Sequence, residues 1–188
     1  HEGGFMKGYL VSLIIVVIDQ VSKMKIDQWL GLCVPGQCER FEVLPVFQLA
    51  VLYNEGAAFS FLADAGGWQR WFLTGISVVV SVALVVWLRR VEAHQVYLRV
   101  GLVLILGGAV GNLIDRAFQG YVVDFLIVHY EQYYFPAFNV ADAAISVGAV
   151  FLLLDLEILS NLTQCFHLLL YDRKQGSPDR LHDYLPSS

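Results

Sequence analysis

Charge is scarce in this sequence. Only 15% of the residues are charged, while 57% are hydrophobic. A water-soluble domain carries about 25% charged residues. The shortfall excludes an ordinary soluble surface and indicates lipid as the solvent for much of the chain. Basic residues are also outnumbered, with a net charge of −5. That argues against a nucleic-acid partner, because phosphate binding needs a basic face. Cysteine is limited to three residues, Cys33, Cys38 and Cys165. No CxxC pair or Cys/His cluster occurs, so a structural zinc site is not expected, and the acidic chemistry of this chain needs no metal or organic cofactor. Cys33 and Cys38 flank a turn with Pro35 and Gly36, and two readings stand for them: a disulfide in an oxidising compartment, or two free thiols. Cys165 reads as unpaired. No small-residue cleavage site follows the first apolar run, Gly8 to Ile18, so it reads as a retained helix and not as a signal peptide. Residues His1 to Phe5 are left out of this reading. Internal repeats are missing too, which weakens a transporter.

What is present is four long apolar segments. Crossing a bilayer takes about 20 helical residues. The segments run from about Met6 to Met24, Trp71 to Leu88, Tyr97 to Ile114 and Val140 to Leu159. The expected fold is an α-helical integral membrane protein with four transmembrane helices. Gly107 and Gly111 in the third segment have the spacing of close helix approach and place it at the bundle centre. Lys7, Arg89, Arg90, Arg99, Arg173, Lys174 and Arg180 fall on one side of the membrane. The remaining basic residues fall on the other. This bias puts both termini and the 89–96 loop in the cytoplasm. The two long connections, about 25–69 and 115–138, then face outward. Phe41 to Tyr53 is rich in β-branched and aromatic residues and predicts one or two strands of a small sheet inserted within 25–69. Trp68, Trp71, Tyr130, Tyr133, Tyr134 and Phe135 read as interfacial anchors. The domain spans 6–160. Residues 161–188 form a tail with an apolar patch at Phe166 to Tyr171.

Ionisable groups in such segments mark a functional site or a buried pair. Asp19 and Lys23, four apart, share a helix face and pair, either as structure or as part of a site. Asn112, Asp115 and Arg116 share a face at the outer end of the third helix, with Asp115 and Arg116 read as an ion pair. Gly108 on that face leaves room for a partner or substrate. Asp124 stands among Val122, Val123, Phe125 and Leu126, and is desolvated if that run packs on the membrane surface. Desolvation there raises a carboxyl pKa. Asn139 and Asp142 open the fourth helix, where Asn caps and Asp suits the first turn. Ser146 continues their face. The topology brings Asp115, Asp124 and Asp142 to one depth. Two carboxyls in contact share a proton, so one activates water while the other polarises a carbonyl. The residues alone support a membrane-embedded acidic site near the outer leaflet. Proton or solute flux, or mere helix pairing, are the competing uses.

Five blocks in order are similar to the motifs of bacterial lipoprotein signal peptidases (signal peptidase II). They are Asp19-Gln-Val-Ser-Lys23, Asn54-Glu-Gly-Ala-Ala-Phe59, Gly107-Gly-Ala-Val-Gly-Asn-Leu-Ile-Asp-Arg116, Val122-Val-Asp-Phe125 and Phe138-Asn-Val-Ala-Asp142. The resemblance spans about residues 6–158. It implies a multi-pass, monomeric aspartyl endopeptidase of the bacterial inner membrane, with its site near the periplasmic face and a small periplasmic β-cradle. Its substrates would be prolipoproteins in membrane lipid, cut before a diacylglyceryl-modified cysteine. The catalytic pair falls on Asp124 and Asp142. Supporting residues fall on Asp19, Lys23, Asn54, Gly56, Asn112, Asp115, Arg116, Asn139 and Ala141. Asp124 is preferred over Asp115 as the catalytic carboxyl, because a carboxylate with a cationic partner stays ionised.

Overall fold

The structure, a computed structural model, describes residues 2–56, 68–92 and 94–156. The chain divides into two compact units, His1–Leu152 and Leu153–Ser188. Of the second, only helical residues 153–156 are described, so Cys165 and the tail patch at Phe166 to Tyr171 lie outside the described residues.

In order, the elements are helix α1 (Glu2–Leu30), strands β1 (Phe41–Leu44) and β2 (Phe47–Asn54), helices α2 (Trp68–Leu88) and α3 (Val96–Phe118), strands β3 (Val122–Tyr130) and β4 (Tyr133–Tyr134), and helix α4, residues 140–156. Each apolar segment is helical where it is described. The helices outrun their apolar cores. α1 continues past Met24 through Lys25 and Asp27 to Leu30, and Gly31 stops it: with φ at 68° its N–H closes on the Asp27 carbonyl at 2.9 Å. A left-handed glycine after the last turn is a common helix stop. The apolar run ends near Met24, while the helix ends at its cap.

α2 and α3 are long and apolar enough to cross a membrane. α2 buries only Ser81, Leu84 and Leu88. Val79, Val82 and Trp87 point outward, as do Leu10, Leu13, Val17 and Ile18 of α1. Apolar surface on this scale belongs in hydrocarbon. α3 is the centre of the bundle, as its glycines predict. A Cβ on Gly107 would lie 2.9 Å from the Ile15 Cβ and 3.0 Å from the Ser12 carbonyl of α1. On the other side, a Cβ on Gly108 would collide with the Ala141 carbonyl of α4. Gly108 therefore leaves room for a neighbouring helix, not for a partner or substrate. Leu84, Leu88, Leu102, Val103 and Leu106 fill the core between α2 and α3.

The sheet has the order β1-β2-β3-β4 and is antiparallel. β1 and β2 lie on the stretch expected to form strands, with β2 ending one residue beyond it at Asn54. β3 is an addition to the expected strands: residues 122–130 pair along β2. Val122, Val123, Asp124 and Phe125 are all buried. A strand covered on both faces shows no polar alternation, so its period is hidden. The sheet therefore reaches beyond the 25–69 insertion. Cys33 and Cys38 are joined in a disulfide. It closes a tight turn at Val34 to Gln37, beside the Leu32–Val51 bridge on the edge of β2.

Candidate active site

The site is built where the C-terminal halves of α1 and α3 meet β3 and the start of α4. Its first part is a buried ion cluster. The Lys23 ammonium lies 2.7 Å from Asp19 Oδ2 and 2.7 Å from Asp115 Oδ2, and donates to Asn112 Oδ1 at 3.0 Å. Its three protons thus meet three acceptors. Asp115 pairs with Lys23 of α1, not with its neighbour Arg116 as the sequence suggested. Adjacent helical residues diverge by about 100°, whereas the inward face of α3 points at α1. Asp115 also accepts the Val123 N–H at 3.2 Å, which ties β3 to α3. Asp19 Oδ1 accepts the Ala141 N–H at 2.8 Å, which ties α4 to α1. That bond is the role of Ala141, a fully buried residue.

Gln20 belongs to this cluster and was overlooked. Its amide donates to Asp115 Oδ1 at 2.8 Å and to the Gly111 carbonyl at 3.1 Å. The signal was available: Gln20 is a polar side chain in an apolar helix, next to Asp19.

The second part contains two carboxyls held by amides. Asp124, 3% exposed, accepts Asn54 Nδ2 at 3.0 Å on one oxygen and Asn139 Nδ2 at 2.8 Å on the other. Asp142, half-buried, accepts Asn112 Nδ2 at 2.7 Å and the Asn139 N–H at 3.3 Å. Asn139 Oδ1 in turn accepts the Asp142 N–H at 2.9 Å. Asn139 and Asp142 thus cap the start of α4 reciprocally. Asn139 touches both carboxyls, its side chain on Asp124 and its backbone on Asp142. Asn112 connects the two parts, accepting from Lys23 and donating to Asp142.

Burial is the main reason that the Asp124 carboxyl is pushed up from 3.8 to about 6. The Asn54 bond opposes this, and the neighbouring Asp142 charge adds to it. Arg116, half-buried, acts electrostatically on Asp142 first, then on Asp115 and Asp124. Arg70 caps the end of α3, donating to the Arg116 carbonyl at 3.1 Å and the Ala117 carbonyl at 2.6 Å.

Gly56 completes the Asn54 loop. Its N–H donates to Asn54 Oδ1 at 2.9 Å, so the Asn54 amide is turned with its nitrogen toward Asp124. Its φ is 102°, and a Cβ there would lie 2.8 Å from Leu73 of α2. Every supporting residue expected from the sequence thus lies in one connected network, except that Arg116 joins it through its field. Ser146 does not take part; its hydroxyl turns back to the Asp142 carbonyl at 2.9 Å. His129 lies along β3 and stacks on Tyr134.

Such a site sets a buried carboxyl of raised pKa beside a second carboxyl, next to apolar helices. That is the equipment for general acid–base hydrolysis at a membrane surface.

Residues 11–158 match the sequence model of the family described as signal peptidase (SPase) II. A lipoprotein signal peptidase of Ectopseudomonas mendocina (strain ymp) is 49% identical over 155 residues, covering 81% of this chain and 89% of that protein. One of Pseudomonas fluorescens is 51% identical over 155 residues, covering 79% and 86%. A solved bacterial membrane enzyme superposes with a TM-score of 0.68 at 30% identity, over 80% of this chain and 92% of that one.

Proposed function

Because this chain belongs to the signal peptidase II family and so removes signal peptides from prolipoproteins, we propose that it does so as an aspartic endopeptidase whose dyad is Asp124 and Asp142. The observation that carries this reading is the bridge of Asn139 to both carboxyls, one of them buried with its pKa raised to about 6.

Asp124 is the protonated member and Asp142 the ionised one. Asp142 accepts two hydrogen bonds, from the Asn112 amide and the Asn139 N–H. In the first step Asp142 takes a proton from water, and the water oxygen attacks the scissile carbonyl carbon. Asp124 gives its proton to the carbonyl oxygen, forming a gem-diol. In the second step Asp142 protonates the leaving nitrogen, the C–N bond breaks, and Asp124 recovers a proton from the gem-diol. The enzyme ends as it began. Asn54 and Asn139 hold Asp124 in place, and the Asn54–Gly56 loop clamps the extended peptide. Asp19, Lys23 and Asp115 lock the frame.

The full reading has α1 to α4 each crossing the bacterial inner membrane, both termini and residues 161–188 in the cytoplasm, and the sheet on the periplasmic side. The protein works as a monomer. The lipid chains of a diacylglyceryl-modified cysteine would lie against the apolar helix faces, presenting the preceding peptide bond at the level of the dyad. The test uses purified enzyme in detergent with a diacylglyceryl-modified prolipoprotein and its unlipidated counterpart. The lipidated form is expected to be cut, with mass spectrometry showing the modified cysteine as the new N-terminus. Equal cutting of both forms, or a cut elsewhere, would refute this substrate assignment.

A further inference from the structure

Asn54 has an exacting task at a weak place. It is the last residue of β2, where a ladder frays most readily, yet its amide must stay on Asp124. The residue before it is held from three directions. The Tyr53 hydroxyl donates to Asp27 Oδ1 of α1 at 2.9 Å. Its ring stacks on Tyr121, with centroids 4.1 Å apart and planes 17° from parallel. Its backbone pairs with Val123 of β3, next to the Asn54–Val122 pair. Successive strand residues point to opposite faces. Tyr53 therefore grips the reverse of the sheet while Asn54 faces the dyad.

The other end of the grip is equally well placed. Asp19, Lys23 and Asp27 are spaced by four and follow one face of α1. The helix that holds the ion cluster thus also holds the sheet. The face opens into a cleft of about 320 Å³ lined by Gln20, Lys23, Asp27 and Asp115. Burial, and then the Asp27 carboxylate, raise the Tyr53 hydroxyl above its ordinary pKa, so it remains a donor.

We propose that Tyr53, latched to Asp27 and stacked on Tyr121, is a positioning residue for the peptidase reaction that fixes Asn54 against Asp124. This rests on the dyad reading above. Tyr53 touches no reacting atom; it acts through Asn54. The charged groups facing Asp124 are Asp142 of α4, Lys23 of α1 and Arg116 of α3, and the latch leaves them in place. A loosened Asn54 gives up a bond that favours the Asp124 carboxylate, so the Asp124 pKa climbs further.

The test is cleavage of the lipidated substrate by Tyr53→Phe, Asp27→Asn, Asn54→Ala and the Tyr53→Phe/Asn54→Ala double variant. Tyr53→Phe keeps the stack and loses the hydroxyl. Its kcat is expected to fall by about threefold to tenfold, the scale of one hydrogen bond. KM should stay within about twofold, and the alkaline limb of the pH–rate profile should move upward. Asp27→Asn still offers a carbonyl acceptor for the Tyr53 hydroxyl and should retain most of the rate. In the double variant the Tyr53 change should add nothing to Asn54→Ala. Additive losses, an unmoved limb, or a lower melting temperature with unchanged kcat would each overturn the latch. If instead the unmodified enzyme cuts nothing, or Asp124→Asn still cuts, the dyad reading fails and not the latch alone.

Discussion

Two acidic clusters occupy neighbouring positions in this molecule, and they differ in one respect. Asp19 and Asp115 share the Lys23 ammonium. Asp124 and Asp142 bond only to amides and backbone N–H groups, with no cation in contact among the described residues. A cation 2.7 Å from both carboxylates favours their charged forms and fastens them to one another. A buried carboxyl held by neutral amides beside a second carboxyl has its pKa raised toward neutral pH. If Asp124 and Asp142 are the dyad, the same residue type is structural in one cluster and chemical in the other, and the partner decides which.

The comparison can be broken from either side. The largest effect is expected for Asp124→Asn and Asp142→Asn, which should each lower kcat by on the order of 10⁴-fold or more, as loss of a central catalytic group does. Melting temperatures should stay near that of the unmodified protein. The next effect, on stability, is expected for Lys23→Met. It strands Asp19 and Asp115 without a cation, which costs about 3–5 kcal/mol of stability. Thermal unfolding in detergent should show it, and retention of the unmodified melting temperature would deny the cluster its fastening role. Next comes Gly108→Ala, whose Cβ meets the Ala141 carbonyl. Overpacking of this kind costs about 1–3 kcal/mol and should displace Asp142 as well, lowering melting temperature and rate together.

The smallest effect concerns pH. With the Asp124 carboxyl at about 6 instead of 3.8, the proton is bound more tightly in the folded protein. Its contribution to stability is therefore fully present below about 3.8 and is lost as pH rises through about 6. The rate should fall over the same upper limb as the acid is lost. Asn54→Ala removes a bond that favours ionisation, so its limb should lie at higher pH. A limb that stays fixed or moves down would detach Asn54 from Asp124.

Much of this was legible in the sequence, because a polar residue in an apolar helix needs a reason. Asp19, Lys23, Asn112, Asn139 and Asp142 stand out by that logic, and the structure joins them. Gln20 stands out equally and was passed over beside charged neighbours. The Asp115 partner was misjudged because adjacency in sequence is not adjacency on a helix. β3 was hidden because a strand buried on both faces has no alternation to read. The Tyr53–Asp27 bond joins residues 26 apart in the chain, and nothing local in the sequence announces it.

The distinction between the two clusters is a statement about one proton, and infrared difference spectroscopy sees it directly. A protonated carboxyl has its own carbonyl stretch. In the unmodified enzyme that band should titrate near pH 6. It should vanish in Asp124→Asn and persist in Asp115→Asn. A band that survives in Asp124→Asn, or is lost in Asp115→Asn, would place the proton in the other cluster and contradict the account.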